Sequence, residues 1–441
     1  MAKKFDSKAL SGHSKIADAA FSRAPRVSFD GEAADVSVER YWRAMHDWAR
    51  ASKVDEGVPL YLHLPFCPVR GTQSTRVAEI THSDPPIDSY LELLHAEIST
   101  VTKNIGVGRR VSQLYVGGGT PNYLSNSQLI RLAETIDAHF DVADGAERTI
   151  EIDPSRASYA QLSLLRGLGF THLQIELREF LSARDAGIGR SCSPDLLHDV
   201  FSTARTLGFK GIAVDITYGA RNTSHDDVLE ELECLLELKP DRILCHAAQT
   251  SFAENGEHHV SDQSKPLSQA AKLSMFVSML DVFELFGYEW VGVSGFALPG
   301  DAWCEAQAEG RLYRNWIGYT TQRAFSVLGF GLGAVTELPG LIAQNHEDLR
   351  TWSALVTAGL PAVCKGVELN TLKAKEREIL TCLSANLNAE APAVMDSAIV
   401  SDLKDSGVIE ADAGRLSLTP FGRAFFSQVH EWDRNQRLVA N

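Results

Sequence analysis

The chain has 441 residues, 44% hydrophobic and 22% charged, the balance of a globular protein long enough for two or three domains. A formal charge of −15 argues against binding nucleic acid or anionic lipid, since both need a basic surface. The seven cysteines are scattered, none within four residues of another, and suggest neither a disulfide framework nor a zinc motif. Lys3 and Lys4 have no apolar stretch behind them, and no run approaches the roughly 18 apolar residues of a membrane helix. A cytoplasmic protein with no membrane span and no nucleic-acid partner is expected.

Residues 1–57 read as an N-terminal arm with one helix near 36–52. From 58 to about 300, β-rich runs alternate with helix-period segments, the pattern of βα units and a parallel sheet. Strands are expected at 59–64, 112–116, 148–153, 171–176, 210–217 and 240–247. Leu91, Leu94, Ile98 and Val101 recur at helical spacing between the first two. Ser125 followed by Gln128 reads as a capping box opening a helix at 126–140. Helices near 158–168, 194–207, 225–238 and 266–287 continue the alternation. This α/β region runs over 58–345, and its six units could make a full barrel or an open one; the count alone does not choose. Beyond it, helices near 347–358 and 371–386, a hairpin at 407–418 and a last helix opened by Thr419-Pro420 form an α-rich domain, 346–441, with a winged-helix-like order.

Gly117-Gly118-Gly119-Thr120-Pro121 follows the second strand. Glycines there allow either a tight turn or close approach of backbone to a ligand, which parallel sheets bind at that end. The Cys67-Pro68 dipeptide admits thiolate ligation of haem iron as well as an inert thiol. His63 and His246 read as strand residues rather than ligands.

Five stretches resemble one family. They are Tyr61-Leu62-His63-Leu64-Pro65-Phe66-Cys67, Tyr115 to Leu124, Ile150-Glu151-Ile152-Asp153-Pro154, Val214 to Gly219, and Tyr313 to Gln322. Together they are similar to the oxygen-independent coproporphyrinogen III oxidase branch of the radical S-adenosylmethionine (SAM) enzymes, and the resemblance implies that the α/β region is a partial, TIM-like (βα)6 barrel. The resemblance implies a SAM pocket at Tyr61, Gly118, Gly119, Thr120, Glu151, Arg178, Arg190, Asp215 and Val335. Arg70, Arg76, Arg314, Tyr319, Thr320 and Gln322 are the candidates for a tetrapyrrole. No catalytic residue is assigned.

The chain departs from the family where the family holds its metal. Three cysteines spaced C-x-x-x-C-x-x-C carry a [4Fe–4S] cluster there, and here the positions are Cys67, Gly71 and Ser74. Such clusters need thiolates, so the cluster is expected to be absent. Thr72 and Gln73 replace the usual aromatic residue of that loop, and Arg178, preceded by Glu176, replaces a pocket glutamine. A cluster rebuilt from Cys67, Cys192 and Cys245 would need convergence that the spacing does not suggest. Two readings follow. In one, the protein binds haem or coproporphyrin, with or without SAM, and carries, sequesters or senses that tetrapyrrole or modulates an active haem-biosynthesis enzyme. In the other it is an enzyme: an active oxidase converting propionates to vinyls, or a user of SAM in polar chemistry.

Overall fold

Period-2 patterning sets the sheet. The computed structural model describes residues 33–52, 57–68, 79–177, 193–219, 224–248, 267–322, 326–391 and 398–429. Six parallel strands lie side by side in chain order: β1 (Val58–Leu64), β2 (Arg109–Gly118), β3 (Phe140–Ile152), β4 (His172–Glu176), β5 (Gly211–Tyr218) and β6 (Arg242–Ala247). Leu60, Leu62, Val116, Ile150, Leu173, Val214 and Ile243 alternate outward into one large apolar core. Helices cover that face, including α1 (Val38–Ala51), α2 (Asp84–Ile105), α3 (Asn126–His139), α4 (Tyr159–Gly167), α5 (Pro194–Thr206), α6 (His225–Glu237) and α7 (Gln269–Leu285). In α2 the stripe Leu91, Leu94, Ile98 and Val101 is buried as the spacing requires. The Ser125 and Gln128 box closes the start of α3 with both reciprocal bonds. The architecture is the expected partial α/β barrel.

Two differences come from the chain's own chemistry. β3 begins at Phe140 rather than at 148, because α3 ends at His139 and runs directly into extended chain. Polar Asp141 and Asp144, with Gly145, hide that extension from a hydrophobic pattern, yet it pairs in parallel with Arg109–Val111. The segment 288–345 holds strands of only three to five residues, too short to show alternation. An antiparallel pair, β7 (Glu289–Val291) and β8 (Gly295–Ala297), extends the sheet beyond β6. After α8 (Ala302–Ala308), the hairpin β9 (Tyr313–Asn315) and β10 (Gly318–Thr320) packs toward the inner face. β11 (Leu328–Phe330) then lies parallel to β1 on the opposite edge.

A second sheet joins β12 (Val335–Leu338), β13 (Leu341–Asn345), β14 (Val363–Glu368) and the pair Ala34–Asp35, so strand pairing crosses position 345. After α9 (Leu349–Thr357) and α10 (Thr371–Asn386) comes a three-stranded antiparallel sheet of β15 (Asn388–Glu390), β16 (Ile409–Asp412) and β17 (Arg415–Leu418). It is accompanied by α11 (Ala398–Asp405) and α12 (Pro420–Val429). No helix among the described residues is long and apolar enough to cross a membrane.

Candidate functional site

The C-terminal ends of β1 and β2 meet backbone to backbone. Gly119 N–H donates to Leu64 O at 2.7 Å and Thr120 N–H to Phe66 O at 2.8 Å. A Cβ at Gly118, where φ is +120°, would stand 2.7 Å from Leu64 O, and one at Gly119 would stand 2.6 Å from Phe66 O. These glycines therefore let two strand tips touch, and the space a side chain would fill belongs to the protein itself. Cys67 sits at that tip, 3% exposed, with its Sγ 4.0 Å from Glu79 O.

Facing the tips, the inner side of the sheet carries polar groups where its outer side carries aliphatic ones. Glu151, 4% exposed, accepts from the Tyr115 hydroxyl at 2.8 Å and from Gly118 N–H at 3.0 Å. The Tyr61 hydroxyl lies 3.1 Å from His63 Nδ1. The Tyr61 ring stacks on Tyr115 at 6.0 Å and meets Trp316 edge-on at 4.5 Å. Asp215 is fully buried, in register with Glu176, and its Oδ1 is 3.8 Å from His246 Nε2. Gly118, Gly119, Thr120, Glu151 and Asp215 thus lie toward or just past the C-terminal ends of β2, β3 and β5, with Tyr61 midway along β1, and parallel sheets bind ligands at that end.

Other candidates are placed differently. The Val335 side chain packs with Ile342, Val367 and Leu369 on the second sheet rather than in the group around Glu151. Tyr319 is 2% exposed, and its hydroxyl accepts from Val293 N–H at 2.9 Å and Ser294 N–H at 3.2 Å. Arg314 lies over the Tyr319 ring at 5.2 Å, and Thr320 Oγ1 accepts from Gln322 N–H at 3.2 Å. Gln322 is exposed. Arg70, Gly71, Ser74, Arg76, Arg178, Arg190 and Cys192 lie outside the described residues. Cys245 is buried in the outer apolar layer against the helices, because strand alternation turns Leu244 and His246 inward instead. Burial pushes its thiol well above the ordinary range, and Asp215 adds to that.

Several site residues were not found by sequence reasoning. Trp316 falls in a stretch whose strands are too short to read. Tyr115 could have been found, since alternation from Gly117 puts it on the inner face. Nearer the N-terminal ends of the strands, a chamber of about 20 Å³ is lined by Gln113, Tyr115, Thr149, Gln174, Arg242 and Tyr319, among others. Arg242 binds the half-buried Glu147 through Nη1 at 3.0 and 2.9 Å and Asp301 through Nε at 3.1 and 2.9 Å. It also covers the Trp303 ring at 4.3 Å. Burial acts to raise Glu147, but Arg242 and then His172 outweigh it and hold the carboxyl below its usual range. Paired on both sides and stacked on a ring, this arginine closes the lower end of the barrel.

No protein-family model matches the chain. An oxygen-independent coproporphyrinogen III oxidase of Pseudomonas aeruginosa is 28% identical over 330 residues, 74% of this chain and 72% of that protein. Its Escherichia coli counterpart is 27% identical over 384 residues, 84% of each. The solved structure of coproporphyrinogen III oxidase (HemN) from E. coli, described as a radical SAM enzyme, superposes with a TM-score of 0.77 at 26% identity, covering 91% of this chain and 94% of that one.

Proposed function

We propose that this chain, which is similar to the oxygen-independent coproporphyrinogen III oxidases in sequence and fold, binds a tetrapyrrole of the coproporphyrin or haem class, together with SAM, and performs no radical chemistry. One observation carries the reading: Cys67 stands alone, with Gly71 and Ser74 at the other two cluster positions. Glycine offers no donor and a serine hydroxyl is a poor one for iron–sulfur chemistry, so the donor set does not fit a [4Fe–4S] cluster.

SAM fits the residues better. Buried Glu151 and Asp215, on alternate strands, suit the amino group and ribose hydroxyls, and the half-buried Trp316 ring, edge-on to Tyr61, offers an aromatic face to a base. Bound SAM would supply a sulfonium group open to polar attack. The chain's own part is to bind and orient it and to exclude water. Arg178 and Arg190 are the proposed partners for its carboxylate, while Arg70, Arg76 and Arg314 are proposed for propionates. Cys67 is proposed as a thiol ligand only toward haem iron.

Calorimetric titration with SAM and absorption titration with haem and with coproporphyrin test this function. The expected result is saturable heat with SAM and a shifted Soret band. No heat at millimolar SAM removes the nucleotide half, and an unshifted band at saturating protein removes the tetrapyrrole half. If Cys67 ligates haem, Cys67→Ala changes the haem spectrum, and an identical spectrum rejects that ligand.

A further inference from the structure

Building on the reading that ligand binds at the strand tips, we propose that Glu97 is a positioning residue that holds the tip of β1 in place. Tyr90 and Glu97 stand two turns apart on one face of α2, and both are buried. Glu97 Oε2 accepts from Gly331 N–H at 2.8 Å, and Oε1 accepts from Asn345 Nδ2 at 2.7 Å. The same Asn345 nitrogen reaches Gly331 O at 2.9 Å, so both backbone groups of Gly331 are held by this cluster. Tyr90 then donates its hydroxyl to His63 O at 2.7 Å while accepting from Leu332 N–H at 3.0 Å.

The turn at Gly331 tolerates no side chain. Its φ is +100°, and a Cβ would lie 2.5 Å from Tyr90 Oη and 2.7 Å from His63 O. The turn is thereby pressed onto the carbonyl of His63. On the other side of that residue, the imidazole is bonded to Tyr61 and its Cε1 stands 2.9 Å from where a Gly118 Cβ would be. A contiguous chain of contacts runs from Glu97 through Gly331 and Tyr90 to His63, and from there to Tyr61 and the β2 tip. Losing Glu97 frees the turn, and the turn frees the strand end on which Tyr61 and Cys67 sit.

A purely stabilising role would loosen the fold without singling out the tips. Amide hydrogen exchange on the full chain separates the two roles, comparing wild type with Glu97→Ala, Glu97→Gln and Leu94→Ala. The last removes core packing from the same helix without touching the cluster. Expected is at least tenfold faster exchange at 61–64 and 118–120 in Glu97→Ala, with β4 and β5 unchanged. Glu97→Gln keeps one acceptor oxygen and shows the same pattern more weakly, which serves if the alanine variant does not fold. A rise confined to α2 and 328–346, or the same pattern in Leu94→Ala, overturns the proposal. The affinity for SAM, read by calorimetry, should fall about tenfold in Glu97→Ala. If wild type binds no SAM, the ligand reading fails, while the exchange comparison still decides the role of Glu97.

Discussion

The Tyr115 hydroxyl donates a hydrogen bond to the carboxyl of Glu151, which has almost no access to water. A hydrogen bond to a charged acceptor contributes roughly 1.5–3 kcal/mol, so Tyr115→Phe should lower unfolding free energy by about that amount in a denaturant titration. It should weaken SAM binding as well; unchanged stability and affinity would show that the bond matters to neither. Glu97 makes a pH prediction. Burial raises its carboxyl from the ordinary value near 4.5 to about 7, while Gly331, Asn345 and Trp352 act against that rise. The folded state therefore keeps a proton that the unfolded state releases between those values. Its contribution is complete below pH 4.5 and is lost as pH rises through 7, on the order of 3 kcal/mol in all. Glu97→Gln should flatten this part of the stability profile between pH 5 and 8, and an unchanged slope would contradict the assignment.

The elements that are long and amphipathic were readable, and the short ones were not. The capping box at Ser125, the stripe of α2 and five of the six parallel strands lie within two or three residues of where pattern puts them, because each buries a continuous face. β7 to β13 escape because strands of three to five residues show no alternation, and β11 takes its place from β1, a partner distant in sequence. Arg423 is a further such case. From α12 it donates to Gly292 O at 2.8 Å and to Trp290 O, and its guanidinium lies 3.8 Å over the Trp290 ring. This fastens the C-terminal helix to the turn between β7 and β8. Arg423→Ala leaves two carbonyls without that donor and should cost about 2–4 kcal/mol. Earlier proteolysis of the C-terminal segment than of the barrel is the expected readout; uniform resistance would show that the latch is dispensable.

Across the whole molecule, the fold matches that of coproporphyrinogen III oxidase, while Gly71 and Ser74 stand at two of the three positions where the resemblance implies cysteines. The architecture was legible in the βα alternation, and the strand-end carboxylates Glu151 and Asp215 gained meaning only beside the family resemblance. Alone, each is an ordinary polar residue at the end of a strand. The inward apolar and aromatic surroundings of Glu151 were not legible, since Tyr61 and Trp316 lie 255 positions apart and meet only through the folded hairpin. The account stands most directly on iron. After anaerobic reconstitution with iron and sulfide, then dithionite, the protein should hold well under four irons per chain, give no low-temperature paramagnetic signal of a reduced cubane, and form no 5′-deoxyadenosine from SAM. Four irons with that signal and that product would contradict it.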